Sequence, residues 1–367
     1  MLRNPLLLLC TPLLFTSFSF AQDLPPAVQA IHDLAKRQEV ALEKVEALKA
    51  KFQAAAPDAR PQIEEEFRQT VIEVRDQIFP AMEEQIPAAF AAAPEDPVVD
   101  EIADLVLQLA HGQNRYGKVH QIAEMILKHD PQDQLAINLD GVARFAEHDF
   151  AGAVEVLTKG NAAQLLVPQL GERYLGDAQK YVALWERESA LREQTAAITD
   201  PEKQAPIVQL TTNRGAIVIE LFEDEAPNAV ANFISLIESK FYDGLRFHRV
   251  IPGFMAQGGC PNTRDEAVGQ PGTGGPGYRI ACECGTDKAR AHFAGSLSMA
   301  HAGQDTGGSQ FFLTHLPTSH LNGRHTVFGR VTEGLEIVRA LQMGDQITEA
   351  TVVRKRNHPY KPQTLPE

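Results

Sequence analysis

Phe247-His248-Arg249-Val250-Ile251-Pro252-Gly253-Phe254-Met255-Ala256-Gln257-Gly258-Gly259 is the stretch on which the reading of this 367-residue chain turns. Leu245–Val250 has a strand-like pattern and leads into Ile251-Pro252-Gly253-Phe254. On the N-terminal side, Ile207–Leu210 and Ala216–Leu221 are β-rich runs separated by Thr211-Thr212-Asn213-Arg214-Gly215, a hairpin signal. Pro227 opens a helical stretch through Glu238 in which Val230, Phe233, Ile234 and Ile237 share a face. On the C-terminal side the pattern predicts a strand over Val327–Val331, a helix over Leu335–Leu341 and a closing strand over Thr348–Val353. Short strands, two helices and glycine-rich loops together suggest an antiparallel barrel or sandwich with helices capping its ends.

Three further segments follow in order: Leu297-Ser298-Met299-Ala300-His301-Ala302-Gly303, Gly308-Ser309-Gln310-Phe311-Phe312-Leu313 and Leu321-Asn322-Gly323-Arg324-His325-Thr326-Val327-Phe328-Gly329. With the opening stretch they resemble the cyclophilins in motif, order and spacing, and the resemblance covers Ile207 to Arg356. It implies a mainly-β domain, a closed eight-stranded barrel with two capping helices and a groove on its outer face. It also implies a peptidyl-prolyl cis/trans isomerase that needs no cofactor. Position by position, Arg249 matches the catalytic arginine. Phe254, Met255, Phe312 and Leu321 match the lining of the proline pocket, and Gln257 and His325 flank it. The backbone at Ala300 and His301 would hold the extended peptide, and Gln310 would support the arginine from behind.

The chemistry asks for such residues. Rotation about an X–Pro bond faces a barrier of roughly 18–20 kcal/mol because amide resonance resists twisting. No bond to another atom is made or broken, so neither nucleophile nor metal is required. In the twisted amide the nitrogen regains a lone pair, which a permanently charged guanidinium suits. Apolar walls hold the pyrrolidine ring and exclude the water that favours the planar form. An amide such as that of Gln257 fixes the peptide carbonyl so that one end rotates. Taken singly, each residue has a plainer reading. An arginine in a strand is ordinarily a surface ion-pair partner, and the apolar residues are ordinarily core. Phe311, next to Phe312, points the other way on a strand. His248, His292, His301, His315, His320 and His325 share no close metal-ligand spacing, so no metal is expected. Two positions depart from the best-known relatives: His320 stands where tryptophan is common, and His301 where asparagine is. The family's cyclosporin binding depends on that tryptophan more than isomerisation does, so weak cyclosporin affinity with retained activity is expected.

Upstream the composition is different. From Pro25 to about Ala197 the chain is rich in Ala, Glu, Gln and Leu, predicting an all-α region. Ala27–Ala54 and Ile63–Phe79 show helical spacing, interrupted by Asp58-Ala59-Arg60-Pro61, and read as a long helical hairpin within residues 22–97. Within 98–197, Asp100–Asp133 and Gln134–Val167 align at a 34-residue period that pairs Tyr116 with Phe150 and Val119 with Ala153. This is weakly similar to tetratricopeptide repeats; a plain helical bundle is the alternative. A last helix over Glu172–Thr195 carries Trp185, the single tryptophan. Residues 198–206 form a polar, proline-containing linker, 207–356 the isomerase-like domain and 357–367 a tail.

Residues 1–21 read as a signal peptide: Arg3, an apolar run from Leu6 to Phe20, then Ser19 and Ala21 before the cut. An uncleaved N-terminal anchor is the alternative. Export to a periplasmic or extracellular space follows, with proline-containing, unfolded exported polypeptides as clients. The helical region is expected to hold clients or dock a protein partner, raising the local concentration of prolyl bonds near the groove. A formal net charge of −14 excludes the basic footprint of a nucleic-acid binder. Beyond Cys10, Cys260, Cys282 and Cys284 leave an odd count. Free thiols, a Cys260 bridge to one of the others, and a metal site with Glu283 or His292 all stay open.

Overall fold

The computed structural model describes residues 24–366, so the expected signal peptide lies outside the described residues. The chain forms two compact units, one running to Ala110 and including Lys118–Ala136, the other made of His111–Gly117 and everything from Ile137 onward. The polar linker at 198–206 is therefore not where the compact units divide.

In the first unit α1 (Pro26–Ala54) begins with a proline in its first turn and buries Val28, Ile31, Leu34, Val45 and Leu48 along one stripe. It packs against α2 (Arg60–Glu73) and α3 (Phe79–Ala92). The helical path continues past Phe79, where the sequence pattern ends it, because a π-turn at Val74–Ile78 joins α2 to α3. The Phe79 N–H donates back to Val74 O, which re-registers the backbone just ahead of Pro80, a residue with no N–H to give. The first unit continues into α4 (Pro97–Gly112), whose start Asp96 caps by accepting from the N–H of Val98 and Val99. It then takes up α5 (Tyr116–His129) from Lys118. No helix among the described residues is long and apolar enough to cross a membrane.

The second unit holds most of α6 (Gln134–Ala146), then α7 (Phe150–Ala162) and α8 (Arg173–Ala196), followed by the sheet domain. Its strands are β1 (Ile207–Thr212), β2 (Gly215–Leu221), β3 (Arg249–Ile251), β4 (Met255–Gly258), β5 (Ser296–Met299), β6 (Phe311–Thr314), β7 (Val327–Glu333) and β8 (Ile347–Arg354). Helices α9 (Pro227–Glu238) and α10 (Leu335–Ala340) accompany them. Every pairing is antiparallel, in the order β3-β4-β6-β5-β7-β2-β1-β8. The core combines Val230, Phe233, Ile234 and Ile237 of α9 with Leu210, Ile219, Leu297, Phe311 and Phe328 of the strands. Phe311 faces this core, as the alternation along its strand requires.

The eight strands form an open half-barrel, not the closed barrel expected. The cause lies in the stretch that opened the reading: of Leu245–Val250, only the end beginning at Arg249 joins a ladder, and β3 is three residues long. Its partner across the gap would be β8. There the chain meets itself through separate hydrogen bonds, Gly244 N to Ile347 O at 2.8 Å and Phe247 N to Asp345 O at 2.9 Å, with one isolated bridge at Arg246 and Gln346.

Helix α8 is fastened to the sheet domain along its length. The buried Arg290 guanidinium donates to both oxygens of Glu188, at 2.8 and 2.9 Å, and to Glu225 at 2.7 Å. Burial alone would raise the Glu188 carboxyl, but Arg290 and Arg192 outweigh it and hold it below its ordinary value. Beside this pair Phe293 sits among the rings of Phe150, Tyr181, Trp185 and His148, with centroids 5.3 to 6.1 Å away. The linker is pinned as well: Arg354 donates to Ala205 O at 2.8 and 3.0 Å and to Gln204 Oε1 at 3.0 Å, and Arg356 donates to Lys203 O at 3.0 Å.

Candidate active site

Arg249 lies on β3 directly opposite Gln257 of β4; Gln257 is opposite Phe312 of β6, and Phe312 opposite Ser298 of β5. Cross-strand partners share a face, so Arg249, Gln257 and Phe312 form one row on the outside of the half-barrel. Arg249 is exposed, and among the described residues its guanidinium has neither a hydrogen bond nor an ion pair. Between β3 and β4 the chain reverses at Gly253, whose φ of +66° suits a residue without a side chain. The reversal is closed by Phe254 N donating to Ile251 O at 3.1 Å. It leaves Phe254 half-buried beside the row, and Met255, two residues before Gln257 on β4, lies on the same face as Gln257 at 2% exposure.

The polar members are held by partners the sequence did not specify. Gln257 Nε2 donates to Gln310 Oε1 at 3.1 Å, and Gln310 Nε2 donates to the carbonyls of Gly272 and Gly274, both at 2.9 Å. Gln310 was expected to support Arg249; its amide instead fixes Gln257, which in turn stands opposite the arginine. His325 Nδ1 donates to Met299 O at 3.0 Å, which sets the tautomer and leaves Nε2 as an acceptor. Burial is the main reason the His325 imidazole sits below the ordinary histidine range, the Met299 carbonyl opposing and His301 adding to it. The His301 ring stacks on it at 4.0 Å and donates through Nε2 to Arg324 O at 2.8 Å, and Phe312 meets His325 edge-on at 5.5 Å. Ala300 N is taken by Gln310 O at 3.0 Å, so the peptide-holding backbone expected there is reduced to what Ala300 leaves free and His301 offers. Leu321 ends a short 3-10 turn, Ser319–Leu321, and His320 lies 5.4 Å from the Phe254 ring. Of the residues marked in the sequence, Arg249, Gln257 and Phe312 share the row, Phe312 meets His325, and Gln310 holds Gln257.

Three features escaped the sequence. Beside Gln257 and Gln310 opens a cleft of 520 Å³, walled by Thr273, Gly274, Tyr278, Ala302 and Thr306. Its one signal was the glycine run from Gly269 to Gly277, which packs backbone against the Gln310 amide. Behind Phe312 lies the buried His292, its ring parallel to the phenyl at 5.9 Å, and Asn322 Oδ1 accepts from both its backbone N and its Nδ1, at 2.8 and 3.0 Å. Residues of the helical stretch also reach both sides of the groove: Asn114 bonds to Gly253, and Tyr181 bonds to His292 and Asn322. No periodicity marks such long-range partners. The three described cysteines are free thiols. Among the described residues no group of three or more His, Cys, Asp or Glu side chains is placed to hold a metal ion.

Residues 207–360 match the family described as cyclophilin type peptidyl-prolyl cis-trans isomerase/CLD. The chain is 53% identical over 146 residues to a peptidyl-prolyl cis-trans isomerase of Synechococcus elongatus, an alignment spanning 39% of this chain and 94% of that protein. It is 56% identical over 136 residues to peptidyl-prolyl cis-trans isomerase B of Bacillus subtilis, spanning 37% of this chain and 90% of that one. Among solved structures, a cyclophilin type isomerase of Cryptosporidium parvum is 29% identical, with a TM-score of 0.37, covering 41% of this chain and 99% of the other.

Proposed function

The chain belongs to the cyclophilin-type peptidyl-prolyl cis/trans isomerases, and from that premise we propose that Arg249 speeds X–Pro rotation by stabilising the twisted amide in the groove it borders. Its substrates are proline-containing polypeptides. The observation that carries the proposed mechanism is the unpartnered, exposed Arg249 guanidinium standing across from a Gln257 whose own amide is fixed. A free guanidinium meets the amide nitrogen as its lone pair emerges, and Gln257 holds the peptide carbonyl. Phe254, Met255, Phe312 and Leu321 receive the pyrrolidine ring, while His325, its Nδ1 committed to Met299, keeps a fixed ring edge at the rim. In a short X–Pro peptide assay the purified chain turns over rapidly, and Arg249→Ala lowers kcat/KM on the order of 10²–10³-fold. An Arg249→Ala protein with full turnover would refute the mechanism.

Two further parts belong to this reading. The apolar N-terminal run supports export, with a mature chain beginning at Gln22. The mass of the protein recovered from the cell's exterior compartment tests it, and recovery from the cytoplasm with Met1 in place would refute it. The helical region supports a client- or partner-binding role. In that case the full-length Arg249→Ala protein still delays aggregation of a denatured, proline-containing protein; equal aggregation with and without it would end that part.

A further inference from the structure

Two residues of the helical stretch, far apart in sequence and themselves buried, make hydrogen bonds to the loops that carry the groove. Asn114, in the turn between α4 and α5, is 4% exposed and has a φ of +57°. Its Oδ1 accepts from Gly253 N at 2.6 Å and from Tyr116 Oη at 3.2 Å, and its Nδ2 donates to Arg339 O at 3.1 Å. Gly253 is the apex of the turn that presents Phe254. Tyr181 of α8 is fully buried. Its Oη donates to His292 O at 2.8 Å and accepts from Asn322 Nδ2 at 3.2 Å. Asn322 follows Leu321, and His292 backs Phe312. One turn of α8 earlier, Asp177 accepts from Ser319 Oγ at 2.9 Å in the same 3-10 turn.

None of the peptide groups so engaged lies in a strand ladder. Gly253 sits beyond the last pair of β3 and β4, and His292 precedes β5. Asn114 is the side-chain acceptor for Gly253 N, while His292 O is shared between Tyr181 Oη and the N–H of Thr318 at 3.3 Å, and His292 N donates to Asn322. We propose that Asn114 and Tyr181 are positioning residues for prolyl isomerisation, one setting the Phe254 side of the proline pocket and the other the Leu321 and Phe312 side. The proposal rests on the reading of the groove as the active site. A pocket closing on a small rigid ring depends on the separation of its walls, and shifts well under 1 Å change contact with the ring. The walls bind the ring in planar and twisted amides alike, so their misplacement acts on KM more than on kcat.

Tyr181→Phe keeps the ring and removes only the hydroxyl. Asn114→Gly keeps the left-handed backbone and removes the side chain; Asn114→Asp restores an oxygen for the Gly253 N–H. In the full-length protein, Tyr181→Phe and Asn114→Gly raise KM for an X–Pro peptide about fivefold to tenfold. Trp185 emission and the melting temperature of the fold stay near wild type, and Asn114→Asp recovers most of the loss. Arg249→Ala in the same assay lowers kcat. If Arg249→Ala is inactive while Tyr181→Phe and Asn114→Gly keep wild-type KM, the positioning role is overturned. An Asn114→Gly loss that Asn114→Asp fails to recover overturns it too. If Tyr181→Phe loses the Trp185 signal and does not fold, the Asn114 pair decides. Full turnover by Arg249→Ala overturns the site reading itself.

Discussion

His320 shows what one side chain changes in this groove. Its ring lies 5.4 Å from Phe254, and burial lowers its pKa from the ordinary histidine value, with nearby Arg173 adding to the effect. A polar ring of this size covers less apolar surface than tryptophan would. The purified protein is expected to isomerise X–Pro peptides while binding cyclosporin weakly, and His320→Trp to tighten that binding at least about tenfold, an amount the added apolar contact alone supplies. Tight binding by the unaltered protein, read by calorimetry, would contradict this. The residues of the candidate site could be picked out because they sit inside contiguous motifs: Arg249, Phe254, Met255 and Gln257 fall within nine residues of each other. What joins them could not. The link from Gln257 on β4 through Gln310, just ahead of β6, reaches the carbonyls of Gly272 and Gly274 in a single loop, and backbone acceptors leave no trace in residue identity.

Among the elements, α8 answers most to its surroundings. His148 Nε2 accepts from Ala294 N at 3.1 Å, and its ring stacks on Trp185 at 4.6 Å. Burial, reinforced by Arg192 and Arg339, lowers its pKa from 6.5 to about 3. His292 is pushed to about 3 by the same burial. A histidine whose folded-state pKa is depressed contributes stability that is full above 6.5 and is lost as pH falls toward 3. Each such group contributes a slope of up to about 1.4 kcal/mol per pH unit within that window. Urea unfolding followed by Trp185 emission is therefore expected to show stability declining from pH 6.5 downward. His148→Gln, which keeps an acceptor for Ala294 but does not titrate, makes the decline shallower; an unchanged slope would refute the assignment. Helix boundaries set by apolar spacing, such as the expected Ala27–Ala54 against Pro26–Ala54, were legible in the sequence. The passage from α2 into α3 was not, because a π-turn carries the helix onward where Pro80 signals a stop. The open sheet was missed for a related reason: a strand pattern in Leu245–Val250 does not say whether a partner strand lies within reach.

For the whole molecule, two compact units that divide at Ala110–His111, Gly117–Lys118 and Ala136–Ile137 predict two unfolding steps where a single domain gives one. Trp185 belongs to the second unit, so its emission reports that step alone. An X–Pro peptide at about 100 times its Kd is expected to raise the stability of the step seen by Trp185 by about 2.7 kcal/mol and to leave the other unmoved. One shared transition, shifted as a whole, would show that the two units unfold together. The pinned linker fixes the distance between α8 and the groove. A loose tether of nine residues would let α8 drift from the groove by a distance growing with the square root of its length, and binding at one end would help the other only statistically. Arg354 and Arg356 remove that freedom by gripping Lys203, Gln204 and Ala205. Helix α8 and the groove are therefore set apart as by a ruler rather than a leash, at a fixed spacing instead of one sampled by chance encounter.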